Sequence, residues 1–441
     1  MTAPAATHPG SADRSPRRPL GRPFAAQLGS TSLANLGDGV LVTLVPLVAL
    51  GLTSSPFQIS LLAAATWLPW LLLGITAGVV IDRVDRRRAQ IGALLARAVL
   101  LAVAALVVAT GHLTVPVLVA LVLAHGVTEV LADLGASAIL PDLVPSDRLA
   151  AANGRVLGAQ QVANSFLGSP LAGALLVVGA GVGFGVAAAL AALAALTLAL
   201  GLRGRFGRAS VPDGAATSAT PTTSALAEVR EGLAFLVRHR ALRPLVLTAG
   251  VLNMASTGYF AVFVLWVVGP GSAVGLRESH YPLLLVTLAT GAVLGSLLAE
   301  RAERRFGAVR TMRTTLTATV VLMLVPLVWP AGPAIAVALF VMGLLTTAGN
   351  VISMSLRQRL VPRSMLGRVG GAGRTLAYGL MPVGALLGGT VAERWSLEAT
   401  FVGAVVISLA ACTYLAATVR PAGVARLLAD AEQPAAAPVP R

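Results

Sequence analysis

The sequence is poor in the residues from which most enzyme sites are built. It has one cysteine, Cys412, and five histidines in 441 residues, and none of its 33 basic residues is lysine. A single cysteine excludes a disulfide framework, and the histidines are too widely spread for a metal-ligand cluster or a nucleophile with its base. No glycine-rich stretch stands between a strand and a helix, as a nucleotide-binding loop requires. The sequence therefore predicts no enzyme, no ATPase, no cofactor and no metal.

Charge is also scarce, whereas apolar residues are abundant. Charged residues make up 12% of the chain and hydrophobic residues 56%, with 46 glycines; the mean hydropathy is +0.82. A soluble globular chain of this length is far less apolar, so the composition indicates a membrane protein. The formal net charge of +15 does not indicate a nucleic-acid partner, because the arginines form short clusters between apolar runs.

Twelve apolar runs are long enough to cross a bilayer, whose hydrocarbon core of about 30 Å requires roughly 20 residues per helix. They predict an all-α integral membrane protein of twelve transmembrane helices. The runs are 24–50, 56–81, 89–110, 113–138, 156–178, 180–202, 242–268, 281–299, 312–330, 332–355, 368–390 and 397–419.

The arginines alternate between the connections. They cluster before the first run and after the second, fourth, sixth, eighth and tenth, and only Arg277 and Arg394 fall in the other connections. Because cytoplasmic loops are enriched in basic residues, this pattern predicts a multi-pass protein of the cell (inner or plasma) membrane with both termini in the cytoplasm. Residues 1–23 and 421–441 are predicted to be disordered cytoplasmic tails.

Two pairs of short stretches repeat half a chain apart. "IDRVDRRR" at 81–88 resembles "ERAERR" at 300–305, and "LVPSDRL" at 143–149 resembles "LVPRSML" at 360–366. The repeats predict two pseudo-symmetric six-helix bundles, 24–203 and 242–420, as in transporters that bind substrate between two halves. Residues 204–241 would form a cytoplasmic linker that ends in an amphipathic helix, with Leu233, Phe235 and Leu236 at the bilayer interface.

At this point the sequence resembles the major facilitator superfamily. "GVVIDRVDRRR" matches the G-x-x-x-D-R-x-x-R-R loop that follows the second helix of that family. The resemblance implies a conformational latch at the cytoplasmic surface, repeated in the second half. Its members here are Gly78, Asp82, Arg83, Arg86, Arg87, Glu300, Arg301 and Arg304. The simpler alternative is that the arginines only orient the chain; an acid such as Asp82 contributes little to orientation and favours the latch.

The resemblance narrows to the drug and siderophore exporters of that superfamily, through "ILPDLVPSDRLAAANGRV", "LVPRSMLGRV" and "LMPVGALLGG". It implies a secondary active transporter, a monomer, that exports a small amphiphilic or hydrophobic compound in exchange for protons. "LGSPLAGAL" departs from the antiporter pattern G-P-x-x-G-G, yet Pro170 and Gly173 are expected to keep a kink in the fifth helix. The alternatives are a proton-coupled importer or facilitator of a polar nutrient and a membrane sensor that transports nothing.

The six predicted spans of the first half contain five ionisable residues, and each costs at least a few kcal/mol there unless it faces a cavity or a partner. In "AHGVTEVLADL", His125, Glu129 and Asp133 are spaced i, i+4 and i+8, so they share one helix face over roughly 12 Å. Asp38 lies in the first span and Arg97 in the third. This set suits a proton relay; the alternative is a structural ion pair between Arg97 and a carboxylate.

Other polar or aromatic residues of the spans are candidates for lining a substrate cavity. For each of them the alternative is packing between helices. They are Asn35, Trp67, Gln160, Gln161, Asn164, Asn253, Tyr259 and Asn350.

Overall fold

The computed structural model describes residues 20–145, 148–204, 206, 225–269, 271–362 and 365–432. Over these residues it contains twelve helical segments that are long and apolar enough to cross a membrane. The prediction of an all-α membrane protein with twelve spans is confirmed. Of the predicted tails, 1–23 and 421–441, residues 1–19 and 433–441 lie outside the described residues, while residues 21–23 already belong to the first helix.

Seven helices and one π-helical segment make up the first half of the molecule. They are α1 Gly21–Leu50, α2 Pro56–Arg83, α3 Arg86–Ala109, α4 Val115–Leu143, α5 Leu149–Gln161, the π segment Val162–Gly168, α6 Ser169–Val178 and α7 Ala180–Gly201. The fifth span is continuous through α5, the π segment and α6. Pro170 is the second residue of α6 and follows the π segment closely. The kink predicted for this span stays a prediction; the departure from α-helical geometry that the structure shows is the π segment, which ends two residues before the proline.

The second half follows the linker helix α8 Ala225–Arg238. It consists of α9 Leu242–Val267, α10 Tyr281–Phe306, α11 Ala308–Leu322, α12 Val325–Val328, α13 Gly332–Leu360, α14 Leu366–Gly379, α15 Met381–Arg394 and α16 Leu397–Thr418. Helices α11 and α12 share the ninth span and α14 and α15 the eleventh. We call the side of the molecule with the α2–α3, α4–α5, α10–α11 and α13–α14 connections the arginine-rich end, and the opposite side the arginine-poor end.

In each half, two helices cross so closely that no side chain fits between their backbones. A β-carbon at Gly39 of α1 would collide with the Asn164 carbonyl of the π segment, and one at Gly258 of α9 would collide with Gly384 of α15. Only glycine lets backbones approach this closely. The first and second halves therefore use the same kind of crossing at corresponding places.

Two surface helices differ from the expectations. Leu236 of α8 is 2% exposed and packs against α14, so this face of α8 is covered by protein and not by lipid. Residues Pro421–Glu432, expected in a disordered tail, form helix α17, whose Val424 is buried in the second half's core. An amphipathic stripe predicts that one face of a helix is shielded from water, but it does not show whether protein or lipid covers that face.

Candidate functional site

The five ionisable residues predicted from the spans lie on three neighbouring helices of the first half. Asp38 lies on α1 and Arg97 on α3, and both helices pack against α4. Helix α4 carries His125, Glu129 and Asp133, one turn apart, along a single face. We call these five residues the charge cluster. Nothing in the local sequence of α1 or α3 links them to α4; the helix packing does.

Arg97 and Asp38 form the firmest contact in the charge cluster. Arg97 Nη1 donates to both carboxylate oxygens of Asp38, at 2.8 and 3.0 Å. The side chain of Arg97 is 2% exposed and that of Asp38 13%. Arg97 Nε also donates to Thr128 Oγ1 at 3.4 Å, and the Thr128 hydroxyl donates to the His125 carbonyl at 2.7 Å. A charge buried to this degree requires a partner, and Asp38 supplies it.

His125 lies between two carboxylates. Its Nε2 is 3.2 Å from Asp38 Oδ1, and its Nδ1 is 4.0 Å from Glu129 Oε2. The Nε2 contact lacks the alignment of a hydrogen bond. Because the imidazole has one nitrogen facing each acid, Glu129, His125, Asp38 and Arg97 form a continuous chain of ionisable groups from α4 to α3.

The formal charges of the charge cluster do not cancel. It holds three carboxyl groups, one guanidinium and one imidazole, so with every acid ionised and His125 neutral it carries two surplus negative charges. Asp133, one turn beyond Glu129, lies near enough to Arg97 to interact with its charge. Surplus charge in a poorly solvated region is unfavourable, which makes the binding of a proton or another cation the natural way to balance it.

Helix α2 closes the charge cluster on a further side. Pro69 of α2 packs against Gly126 of α4, and the Trp70 indole faces the Glu129 carboxylate. Neither Trp70 nor Thr128 was among the residues that the sequence put forward for the charge cluster. No signal in the sequence pairs either residue with the charge cluster, because both contacts depend on how α2, α3 and α4 pack.

Three of the cavity candidates lie in contacts between helices. Asn253 Nδ2 donates to the Ala377 carbonyl at 3.0 Å, and the Tyr259 hydroxyl donates to the Met323 carbonyl at 3.0 Å. Tyr259 is 1% exposed within an aromatic group that includes Phe263 and Phe401. The rings of Trp67 and Tyr378 of the second half are in tilted contact, with centroids 5.9 Å apart. For Asn253 and Tyr259 these contacts correspond to the packing alternative.

The remaining cavity candidates are on or near the π segment, on α1 and on α13. Gln161 is exposed and donates to Ser165 Oγ at 2.9 Å, while Gln160 and Asn164 are half-buried. Asn35 donates to the Thr31 carbonyl of its own helix at 2.9 Å, and Asn350 is exposed. They are not brought together with Asn253 and Tyr259 in one cluster of hydrogen bonds.

The predicted latch residues lie at the arginine-rich end. Arg86 Nη1 donates to the Ala138 carbonyl and to Asp142 at 3.0 and 3.2 Å, and Arg87 Nη2 donates to the Ala199 carbonyl at 2.9 Å. These bonds stay within the first half, as does the capping of α3 by the Asp85 side chain. The structure does not describe the surroundings of Gly78 or the side chains of Asp82 and Arg83.

The second-half copy of the latch stretch also makes contacts within its own half. Glu300 pairs with Arg304 on α10 at 3.3 Å, both well exposed, and Arg301 is exposed. Glu303, which the predicted latch did not include, pairs with Arg359 of α13 at 3.3 Å. Gly173, predicted as part of the kink in the fifth span, instead packs against Pro282 of α10 and so touches the second half.

Comparison with known proteins agrees with this architecture. A family model described as "Transmembrane secretion effector" matches residues 19–437. The chain is 29% identical over 396 residues to the "Multidrug efflux pump Tap" of Mycobacterium tuberculosis, covering 85% of this chain and 88% of the relative. It is 27% identical to the protein of that name from Mycolicibacterium fortuitum, covering 86% and 91%.

Two solved structures resemble the whole fold. The bacterial homologue of the human lysosomal transporter Spinster, in an inward-facing and occupied conformation, matches with a TM-score of 0.71 at 14% identity, covering 94% of this chain and 98% of that one. A mutant of the nucleoside transporter NupG matches with a TM-score of 0.69 at 14% identity, covering 91% and 100%. The chain is thus a multi-pass membrane transporter that belongs to the major facilitator superfamily, in its transmembrane secretion effector family.

Proposed function

We propose that this chain is a proton-coupled efflux antiporter that exports a small amphiphilic or hydrophobic compound by alternating access. The charge cluster is the observation that carries the proposal. It places three carboxyl groups beside one buried arginine within the spans of the first half. An intramembrane group of this kind is costly to maintain, and proton relays in transporters are a common reason for keeping one.

Glu129 is the carboxyl group at which protons exchange. Its side chain is 26% exposed, against 13% for Asp38, so it is the acid of this pair with better access to water. Asp38 is engaged by Arg97 through two hydrogen bonds, which holds it as the counterion of that arginine. His125, facing both acids, connects the exchanging carboxyl group to the fixed ion pair.

Charge balance links proton binding to substrate binding. A proton that binds Glu129 neutralises one of the two surplus negative charges. A positively charged compound that approaches the charge cluster neutralises that same negative charge. Two ligands that neutralise one site compete for it, and competition of this kind couples their movements in opposite directions. Similarity to relatives named multidrug efflux pumps supports export as the direction.

Purified protein in liposomes tests the coupling. Proton movement is followed with a pH-sensitive dye while lipophilic dyes and antibiotics are added, for the wild type, Glu129→Gln and a matched control, Glu398→Gln at the exposed start of α16. We expect substrate-stimulated proton movement in the wild type and the control. Glu129→Gln should abolish it while ligand binding, measured by fluorescence anisotropy, remains.

Two results would contradict the proposal. Undiminished proton movement in Glu129→Gln would remove Glu129 from the coupling. Substrate movement without proton movement in the wild type would make the chain a facilitator. Direction is tested in intact cells, where export predicts that deleting the gene raises the dye content of the cell and import predicts that it lowers it.

A further inference from the structure

The two halves are joined at the arginine-poor end by a carboxylate that sits on a helix terminus. Glu393, near the end of α15, accepts a hydrogen bond from Ser55 Oγ at 2.8 Å and one from the Phe57 backbone N–H at 3.2 Å. Both bonds go to the same oxygen, Oε2. Ser55 and Glu393 are 338 residues apart in sequence and belong to opposite halves. We call these three residues the Glu393 clasp.

The chemistry of a helix start explains why a carboxylate binds there. The first N–H groups of a helix have no partner within it, and they carry the positive end of the helix dipole. Ser55 caps α2 by accepting from the Gln58 N–H at 3.2 Å, which leaves its own hydroxyl hydrogen free to donate to Glu393. The Phe57 N–H would otherwise face solvent. Glu393 thus supplies, from the second half, an acceptor that the first half lacks.

Beneath the clasp, one face of α2 is shaped to fit the second half. Ser60 lies so close to Gly389 that any side chain at position 389 would collide with it. One turn deeper, Ala64 is buried with Ala261 of α9 and Ala385 of α15. Deeper still, the Trp67 ring contacts the Tyr378 ring in a tilted arrangement. The positions 60, 64 and 67 recur at helical spacing, so they form a continuous stripe of small side chains that ends in an aromatic pair.

We propose that Glu393 is the positioning residue that holds the arginine-poor end of the transport path closed. The proposal rests on the alternating access of the proposed function, in which this end must part during each cycle. The features of the clasp suit a contact that is repeatedly made and broken. Glu393 is exposed, so water replaces its hydrogen bonds when the halves separate, and exposed charged contacts are individually weak. The small side chains of the stripe at positions 60 and 64 offer little bulk that would interlock with the second half.

Access to a cysteine placed under the clasp tests this assignment. Ala64 is 7% exposed, so Ala64→Cys should react with a membrane-impermeant maleimide only when the arginine-poor end opens. Cys412 is first replaced by alanine to remove the natural thiol. In this background we expect Glu393→Ala to raise the labelling rate by about fivefold, the factor produced by losing a modest stabilising contact. Glu393→Asp, which restores the carboxylate, should return most of the protection.

The matched control is Glu398→Ala, an acid of α16 near the same end. Ala385→Cys, across the interface and fully buried, serves as a second reporter in case a larger side chain at position 64 disturbs the packing. Unchanged labelling of both reporters in Glu393→Ala would overturn the proposal. Equal increases in Glu393→Ala and Glu398→Ala would also overturn it, because they would show a general loosening of this end.

The measurement is independent of proton coupling. Labelling requires neither substrate nor a proton gradient, so the clasp can be confirmed even if liposome assays reveal no proton movement. Conversely, both thiols could stay protected in Glu393→Ala while proton movement is normal. That result would support the antiporter proposal and contradict the role of the clasp.

Discussion

Helices α4 and α13 occupy equivalent positions in the two halves, and the difference between them shows where the specialised chemistry lies. Both have 29 residues, Val115–Leu143 and Gly332–Leu360, so residue i of α4 corresponds to residue i+217 of α13. Where α4 carries His125, Glu129 and Asp133, α13 carries Met342, Thr346 and Asn350. The architecture is duplicated, whereas the ionisable groups are present in one copy only.

Two of these three positions of α13, Met342 and Thr346, serve packing, whereas Asn350 is exposed. Met342 is 6% exposed in the main apolar core, and the Thr346 hydroxyl bonds that of Thr319 on α11 at 3.3 Å. Where the first half has an ion pair at its centre, the second has the aromatic group around Tyr259, with ring centroids of Tyr259 and Phe401 4.4 Å apart. The comparison indicates that the ion pair and the acids beside it belong to the first half, and that apolar and aromatic contacts take their place in the second.

The ends of the same two helices carry opposite charges. Asp142 of α4 pairs with Arg86, and its counterpart Arg359 of α13 pairs with Glu303. Both pairs join the end of the fourth or tenth span to the charged stretch that follows the second or eighth. Since the geometry of the pairing is kept while the signs are exchanged, these pairs depend on opposite charge and not on a particular residue.

The largest effect should come from removing the buried cation. Arg97→Met leaves Asp38 without its partner beside two further acids, and breaking a buried pair in this way costs about 3–5 kcal/mol. The thermal midpoint of the detergent-solubilised protein should fall sharply. The double variant Arg97→Met, Asp38→Asn should recover most of the loss. Thr319→Val in the second half is the control. If Arg97→Met and Thr319→Val had the same thermal midpoint, the difference drawn between the centres of the two halves would be contradicted.

A smaller and similar effect is expected when either glycine crossing is filled. Gly39→Ala and Gly258→Ala both introduce a methyl group into an occupied position, and overpacking typically costs about 1–3 kcal/mol. Gly92→Ala and Gly403→Ala are controls, because nothing lies within 4 Å of a β-carbon there. Thermal midpoints measure all four. Sensitivity in one half alone would show that the halves differ in packing as well as in charge.

The smallest effect should follow from Tyr259→Phe. The change removes one buried hydrogen bond to the Met323 carbonyl and keeps the ring contacts, so the expected cost is about 1 kcal/mol. Export of a dye substrate by cells should remain near the wild-type rate. A large loss of export with normal stability would instead place the Tyr259 hydroxyl in substrate handling, against its burial.

The parts of the fold that depend on local pattern were predictable. Apolar runs of bilayer length gave all twelve spans, and helical spacing alone put His125, Glu129 and Asp133 on one face of α4. Pro170 pointed to an irregularity in the fifth span but not to its π-helical form, because a π turn has no sequence signature as clear as a proline.

The parts that depend on packing between distant segments were not predictable. Asp38 was a candidate by itself, but its position between Arg97 and His125 requires the packing of α1 and α3 against α4. Glu393 was not among the candidate residues, since its partners are 336 and 338 residues away in sequence. Leu236 was expected in lipid because a hydrophobic stripe is equally suited to either environment.

The π segment Val162–Gly168 has a mechanical consequence for the span that contains it. A π turn holds one residue more than an α turn, and one residue corresponds to about 100° of rotation about the helix axis. If these seven residues became α-helical, α6 would revolve by that angle and carry Gly173 away from Pro282 while α5 stayed in place. The pivot lies where the segment crosses Gly39, the neighbour of Asp38. A change of the π segment to α-helical geometry would therefore rotate α6 about a point that lies next to the ion pair of Asp38 and Arg97.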